Sequence, residues 1–284
     1  MKQALKRWIR ALGRFPPLAA FLQVRWVRSC VGRLPGAHLL YATGWERRHP
    51  FDVAHGIDTS GTVPVAHLQL GADASGHAVL YAGSQPSIVR RALATLPLPL
   101  ESFCFVDLGC GKGRALVVAS EFPFRDIVGV ELSEALVATA CANAAVVARR
   151  FPQRCGIRVV TRDASAFELP AGDLVLYLYN PFGAPLVARV VETLERAMAS
   201  DPARRVFVVY YNPVAAHCFD ASAALCRFSA EQIPYADDEQ GYGPDPDDAV
   251  VVWQSRRHAV PARSADRSIV LQAGGVRATL AQDG

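Results

Sequence analysis

Gly109, Gly111 and Gly113 stand at alternating positions in FVDLGCGKGRAL, just after an apolar run that ends in Asp107. Glycine in such a turn permits positive φ and lets another group come against bare main chain. Two more apolar runs end in acids: Glu131 closes GVEL, and Asp163 closes VVTRDA. A carboxylate at a strand end can accept hydrogen bonds from both hydroxyls of a ribose, and it can equally be the N-cap of a helix or turn. A fourth run, LVLYLYNPFG, ends in Asn180-Pro181-Phe182, and a fifth, VFVVYYNP, in Asn212-Pro213. An Asn-Pro pair also serves as a plain turn that stops a strand.

The spacing narrows the choice of ligand. A dinucleotide fingerprint needs a glycine where Arg114 stands, and a phosphate-cradling loop is longer and ends in Lys-Ser or Lys-Thr. Gly-x-Gly-x-Gly after an acid instead resembles the first motif of the class I S-adenosylmethionine-dependent methyltransferases. The resemblance follows the family's strand and motif order over about residues 103–252. It implies S-adenosyl-L-methionine as cofactor, bound by Asp107, Gly109, Gly111, Gly113, Glu131 and Asp163, with Asp163 or its neighbouring main chain meeting the adenine amino group. YAGSQPSIVRRAL looks like the segment that, in several members, folds over the methionine end of the cofactor, so Tyr81, Gln85 and Ser87 are lid candidates.

Asn180-Pro181-Phe182 is similar to the Asn/Asp-Pro-Pro-Tyr/Phe signature of family members that act on amino nitrogens, with one proline missing. In that signature the amide oxygen and a main-chain carbonyl orient the amine while the ring packs on the substrate. The implied reaction is methyl transfer to a nitrogen or oxygen of an unidentified acceptor, a protein lysine or a small molecule among the options. Transfer from a sulfonium is an in-line displacement that needs alignment and exclusion of water; no metal is expected. Tyr211, Asn212 and His217 are further candidates for the acceptor pocket, His217 as a general base because imidazole titrates near neutrality. Tyr177 and Tyr179 share one face of their strand and suit core or pocket equally.

These groups meet only if the runs that carry them lie side by side. From about residue 103 onward, nearly continuous Val, Leu, Ile and Phe runs alternate with helical stretches at 112–121, 133–150 and 184–199. That pattern suits parallel strands buried on both faces. The expected fold is α/β: a doubly wound, mostly parallel seven-stranded sheet with a C-terminal antiparallel hairpin and an N-terminal helical and β accessory segment. The divisions are a basic helical extension at 1–50, an accessory segment and cofactor lid at 51–100, a methyltransferase core at 101–258 and a tail at 259–284. VPVAHLQL and HAVLYAG suggest a small strand pair, followed by a helix over 86–96.

Charge is uneven although the net value is only +4. Residues 1–45 hold eight Lys or Arg and no acid, whereas 237–248 hold six acids and no base. Leu5, Trp8, Ile9 and Leu12 lie at helical spacing among the basic residues, so this segment either packs on the domain or makes peripheral contact with an anionic membrane. No apolar stretch approaches the roughly 20 residues that cross a bilayer. No RNA-binding signature accompanies the basic residues, so no specific nucleic acid is expected. The acidic loop is either solvated or an attractor for a cationic acceptor. Seven scattered cysteines without a CxxC pair point to reduced thiols and a cytoplasmic location. Two alternatives stand beside the enzyme: a non-catalytic cofactor-binding module whose basic N-terminus docks on membrane or nucleic acid, and a nicotinamide-dependent oxidoreductase.

Overall fold

A computed structural model of the chain describes residues 48–65, 68, 80–243, 247–263, 268–273 and 276–281. The basic N-terminal segment, its expected helix and its membrane contact lie outside them. The accessory part contributes α1 (Pro50–His55), a short antiparallel pair β1 (Thr62–Val63) and β2 (Tyr81–Ala82), and α2 (Pro86–Ala94). The core then runs β3 (Cys104–Leu108), α3 (Arg114–Ala119), β4 (Asp126–Glu131), α4 (Glu134–Arg150) and β5 (Ile157–Thr161). It continues with β6 (Leu174–Tyr179), α5 (Ala184–Ser200), β7 (Val206–Tyr211), α6 (Ala216–Asp220), β8 (Leu225–Pro234) and β9 (Asp247–Ser255).

Seven of these strands form one sheet in the order β5-β4-β3-β6-β7-β9-β8. The first five are parallel, and β9 and β8 add as an antiparallel pair. Strand order reverses beside β3, which pairs with β4 on one side and β6 on the other. In open α/β sheets such a switch point leaves a crevice beyond the carboxyl ends of the strands.

Two core layers explain the continuous apolar runs. On β3, β6 and β7, Phe105, Val175, Tyr177, Phe207, Val209 and Tyr211 point to one face, packed with Ile88, Val89 and Leu93 of α2 and Leu116 of α3. Their sequence neighbours Val106, Leu176, Leu178, Val208 and Tyr210 point to the other, with Val187, Val191 and Leu194 of α5 and Trp253 of β9. Burial on both faces removes the polar alternation of a half-exposed strand. Each large side chain buried this way contributes roughly 1.5–3 kcal/mol.

Residues expected to be a tail instead contain a second hairpin, β10 (Ser268–Ala273) with β11 (Val276–Ala281). Its β10 strand sits on the closing pair of the sheet: Ile269 and Leu271 are buried, and the Val270 amide donates to Gln232 Oε1 at 2.9 Å. No described helix is long and apolar enough to cross a membrane. The six described cysteines are free thiols.

Candidate active site

A cleft of about 820 Å³ opens beyond the carboxyl ends of β3, β4, β5 and β6. It brings together Asp107, Gly109, Gly111, Glu131, Asp163, Asn180, Pro181 and Phe182 from four separate strand ends, and Tyr81 from the accessory segment. Gly113 does not line it. That glycine is the N-cap of α3, with φ 83, so its part is to turn the chain into the helix.

What fills the space of the missing side chains differs from the expectation that a ligand does. A Cβ at Gly109 would lie 2.5 Å from Cβ of Pro181, and one at Gly111 would overlap the ring of Tyr81. Both glycines also have positive φ, 79 and 53. The turn is therefore bare so that the Asn180-Pro181 turn and the lid tyrosine can close on it, and the cleft beside it is what remains for a ligand.

Glu131 is held by its own turn. Its Oε2 accepts the Gly111 amide at 3.0 Å, and Oε1 accepts the Leu132 and Ser133 amides at 2.8 and 2.9 Å. Three main-chain donors fix the carboxylate at the cleft wall. Asp163 does serve as a cap: Oδ1 accepts the amide of Ser165 and its hydroxyl, both at 2.8 Å, while the residue still lines the cleft. Asp107 is 3% exposed, and among the described residues its carboxylate has no hydrogen-bond partner. Burial first, and the Glu131 carboxylate second, push its carboxyl well above the usual range.

Asn180 takes a left-handed backbone, φ 38, which costs most non-glycine residues about 1–2 kcal/mol and asparagine less. Its side chain lines the cleft, and among the described residues its amide has no hydrogen-bond partner. Tyr177 and Tyr179 also line the cleft. The hydroxyl of Tyr177 donates to Ser84 Oγ at 2.9 Å, and Tyr179 stacks on Tyr211 with centroids 4.2 Å apart.

The fifth strand end does not join the pocket. Tyr211 is buried and donates to Asp248 Oδ2 at 2.7 Å, and Asn212 is buried with its main-chain N–H donating to Ala249 O at 2.8 Å. His217 is exposed on α6 and does not line the cleft. It is therefore not placed to act as the expected base in this cleft. Gln85 and Ser87 do not line the cleft either. Gln85 accepts from His49 Nε2 at 3.1 Å and donates to Tyr242 O at 3.1 Å. The Ser87 amide donates to Glu239 Oε1 at 2.8 Å, and its hydroxyl to Glu239 Oε2. Glu239 thus satisfies an orphan N–H in the first turn of α2 from 152 residues away. The acidic loop is partly structural: Glu239 and Asp248 are buried, and Tyr235 also donates to Asp248.

Arg114 gave no functional signal in the sequence. Its side chain is 5% exposed, lines the cleft and reaches across to the accessory segment. His49, at the start of that segment, accepts the Phe51 amide on Nδ1, which leaves Nε2 protonated toward Gln85. Burial, aided by Arg114, lowers its pKa to about 4.

No family model matches the chain, and no curated protein does. Among solved structures it is similar to SMU.472 crystallised with SAH, 14% identical over 62% of this chain and 53% of that one, TM-score 0.41. It is also similar to the RNA methyltransferase from Salinibacter ruber in complex with S-adenosyl-L-homocysteine, 18% identical over 63% and 97%, TM-score 0.38. A third is the ribosomal protein L11 methylase from Lactobacillus delbrueckii subsp. bulgaricus, 11% identical over 59% and 77%, TM-score 0.37. The chain spans about half the length of SMU.472. Its own strand order, five parallel strands closed by an antiparallel pair, is the α/β Rossmann-like architecture expected for the class I methyltransferase fold.

Proposed function

We propose that the chain binds S-adenosylmethionine in this cleft and transfers the methyl to a nitrogen of an acceptor presented at Asn180-Pro181-Phe182. One observation carries the proposal: an asparagine in left-handed backbone turns an amide without a described partner into a cleft shared with Glu131. What sets Asn180 apart from an ordinary asparagine turn is that it stands at the wall of a cleft, where its amide is open to a ligand.

The cleft suits the cofactor in size and in donor set. Its volume lies within the roughly 300–1,000 Å³ of small-molecule sites. Glu131, fixed by three amides, offers acceptor positions for sugar hydroxyls, and Asp163 keeps an oxygen beyond its capping bonds for an amino group. When bound, S-adenosylmethionine supplies an electrophilic methyl on a sulfonium. The chain's own part is alignment and dryness. Asn180 Oδ1 accepts a hydrogen bond from the acceptor and turns its lone pair, while Pro181 and Phe182 bound the pocket. Tyr81, Ser84 and Tyr177 wall off water on the accessory side.

Nitrogen is favoured over a hydroxyl by the likeness of Asn180-Pro181-Phe182, which lines the cleft, to the amine-orienting signature. An amine attacks once its lone pair is free of a proton. Whether the acceptor is a protein lysine or a small molecule is open to one experiment. Protein, methyl-labelled S-adenosylmethionine and a cell extract are mixed, and the labelled component is identified by mass. Transfer in the wild type and its loss in Asn180→Gly are expected. Equal labelling by the variant would refute the role of Asn180, and no labelling by either would refute the enzyme. The cytosol, where thiols stay reduced, is the proposed location, in keeping with the free cysteines.

A further inference from the structure

Arg114 is the first residue of α3, directly after the glycine turn, and almost all of its hydrogen-bonding capacity is spent on the accessory segment. Nε donates to Thr59 Oγ1 at 2.6 Å, and Nη2 to Thr59 O at 2.9 Å. Nη1 donates to Gly83 O and to Ser84 O, both at 3.3 Å. Behind Thr59 lies Asp52, fully buried, which accepts the Thr59 amide and hydroxyl and the Ser60 hydroxyl. A guanidinium has five N–H donors, so four used on protein carbonyls and a hydroxyl leave little for a ligand.

The strip 81–84 that Arg114 holds is the wall of the cleft. Tyr81 fills the space over Gly111 and donates to Thr59 O at 2.7 Å, so it shares the carbonyl that Arg114 grips. Ser84 accepts from Tyr177 in the opposite wall. One side chain thereby ties the turn beneath the ligand to the strip that covers it.

We infer that Arg114 is a positioning residue: it fixes strip 81–84 over the glycine turn and so sets how long a ligand stays in the cleft. This rests on the cofactor assignment above only in naming the ligand. Gly83 supplies a test that leaves the buried ion pair in place. A Cβ there would lie 2.6 Å from Cζ, 2.7 Å from Nη1 and 2.9 Å from Nε of Arg114, so Gly83→Ala is a wedge driven into that contact alone. Lysine at 114 keeps a charge opposite Asp52 but lacks the planar fork, so it cannot hold Thr59, Gly83 and Ser84 together.

The experiment measures amide hydrogen exchange without ligand, and S-adenosylhomocysteine binding by calorimetry and stopped-flow, in wild type, Arg114→Lys, Gly83→Ala and the double variant. Exchange at 81–84 is expected to rise about tenfold in each single variant, with β3 and β6 unchanged, as for loss of one or two hydrogen bonds. The dissociation rate of S-adenosylhomocysteine is expected to rise by about the same factor with little change in association rate. In the Arg114→Lys background the alanine should add nothing, because the atoms it strikes are gone. Unchanged exchange at 81–84 in Arg114→Lys, or additive effects in the double variant, would overturn the inference. Failure of S-adenosylhomocysteine to bind the wild type overturns the cofactor assignment instead, since lid exchange is read with no ligand present.

Discussion

Asn180-Pro181 and Asn212-Pro213 are the same dipeptide at the carboxyl ends of neighbouring parallel strands, and both asparagines have positive φ, 38 and 48. Their surroundings differ. β6 runs two residues past its last pairing with β3, Asp107 with Tyr177, so Tyr179 and Asn180 emerge over the cleft. β7 is flanked beyond its end by β9: the Asn212 main-chain N–H donates to Ala249 O, and Tyr211 just before it donates to Asp248. Local sequence sets the backbone of both turns, and the neighbouring strand decides which one faces a ligand. The packed side extends to the accessory cap, where His49, Gln85, Ser87 and Glu239 have their polar groups paired within the protein.

The contrast is broken or sharpened most strongly at the two asparagines. Glycine keeps the left-handed turn and removes only the amide. Methyl transfer in Asn180→Gly should fall about 100-fold, as for a lost orienting contact, while Asn212→Gly stays within about twofold. Similar losses in initial rates of labelled transfer would erase the distinction.

The packed side should show itself in the pH dependence of stability. His49 has a folded pKa of about 4, below its unfolded value of 6.5, so between these the unfolded chain binds the extra proton. Stability is full above pH 6.5 and is lost as pH falls toward 4. Urea melts should give roughly 2 kcal/mol less at pH 5 than at pH 7 from this group, a difference that His49→Gln removes. A wild-type curve as flat as the variant's would contradict the assignment.

On the cleft side, Glu131→Gln keeps the shape and weakens the charged hydrogen bonds. S-adenosylhomocysteine affinity should drop about tenfold by calorimetry, more than for Asp163→Asn, whose Oδ1 is engaged with Ser165. A larger loss at Asp163 would move the sugar site away from Glu131. The smallest effect expected is in folding: Asn212→Gly loses about 1 kcal/mol in denaturant melts, since it removes a side chain that is packed in the protein, whereas Asn180→Gly, half-exposed at the cleft, loses none.

The sheet was legible because its parallel strands are buried on both faces, which leaves unbroken apolar runs such as CFVDL and LVLYLY. The strand-end residues followed from it, since a switch point gathers carboxyl ends whatever the loops do. The pairing of β10 with β11 was hidden because both runs are short and mix polar with apolar residues. Gln85 and Ser87 looked like lid residues by position, yet their partners lie about 150 residues away, where no local pattern records them. Arg114 reads as an ordinary surface base at a helix start, and only the folded accessory segment reveals it as a tie. Glycine spacing announced a close approach without saying that Pro181 and Tyr81 make it.

Calorimetric titration of the whole chain with S-adenosylhomocysteine, and in parallel with NADH, tests the central claim most directly. Saturable binding of S-adenosylhomocysteine at one site per chain, weakened about tenfold by Glu131→Gln and untouched by His217→Ala, is the predicted result. Binding of NADH with no heat from S-adenosylhomocysteine would contradict it.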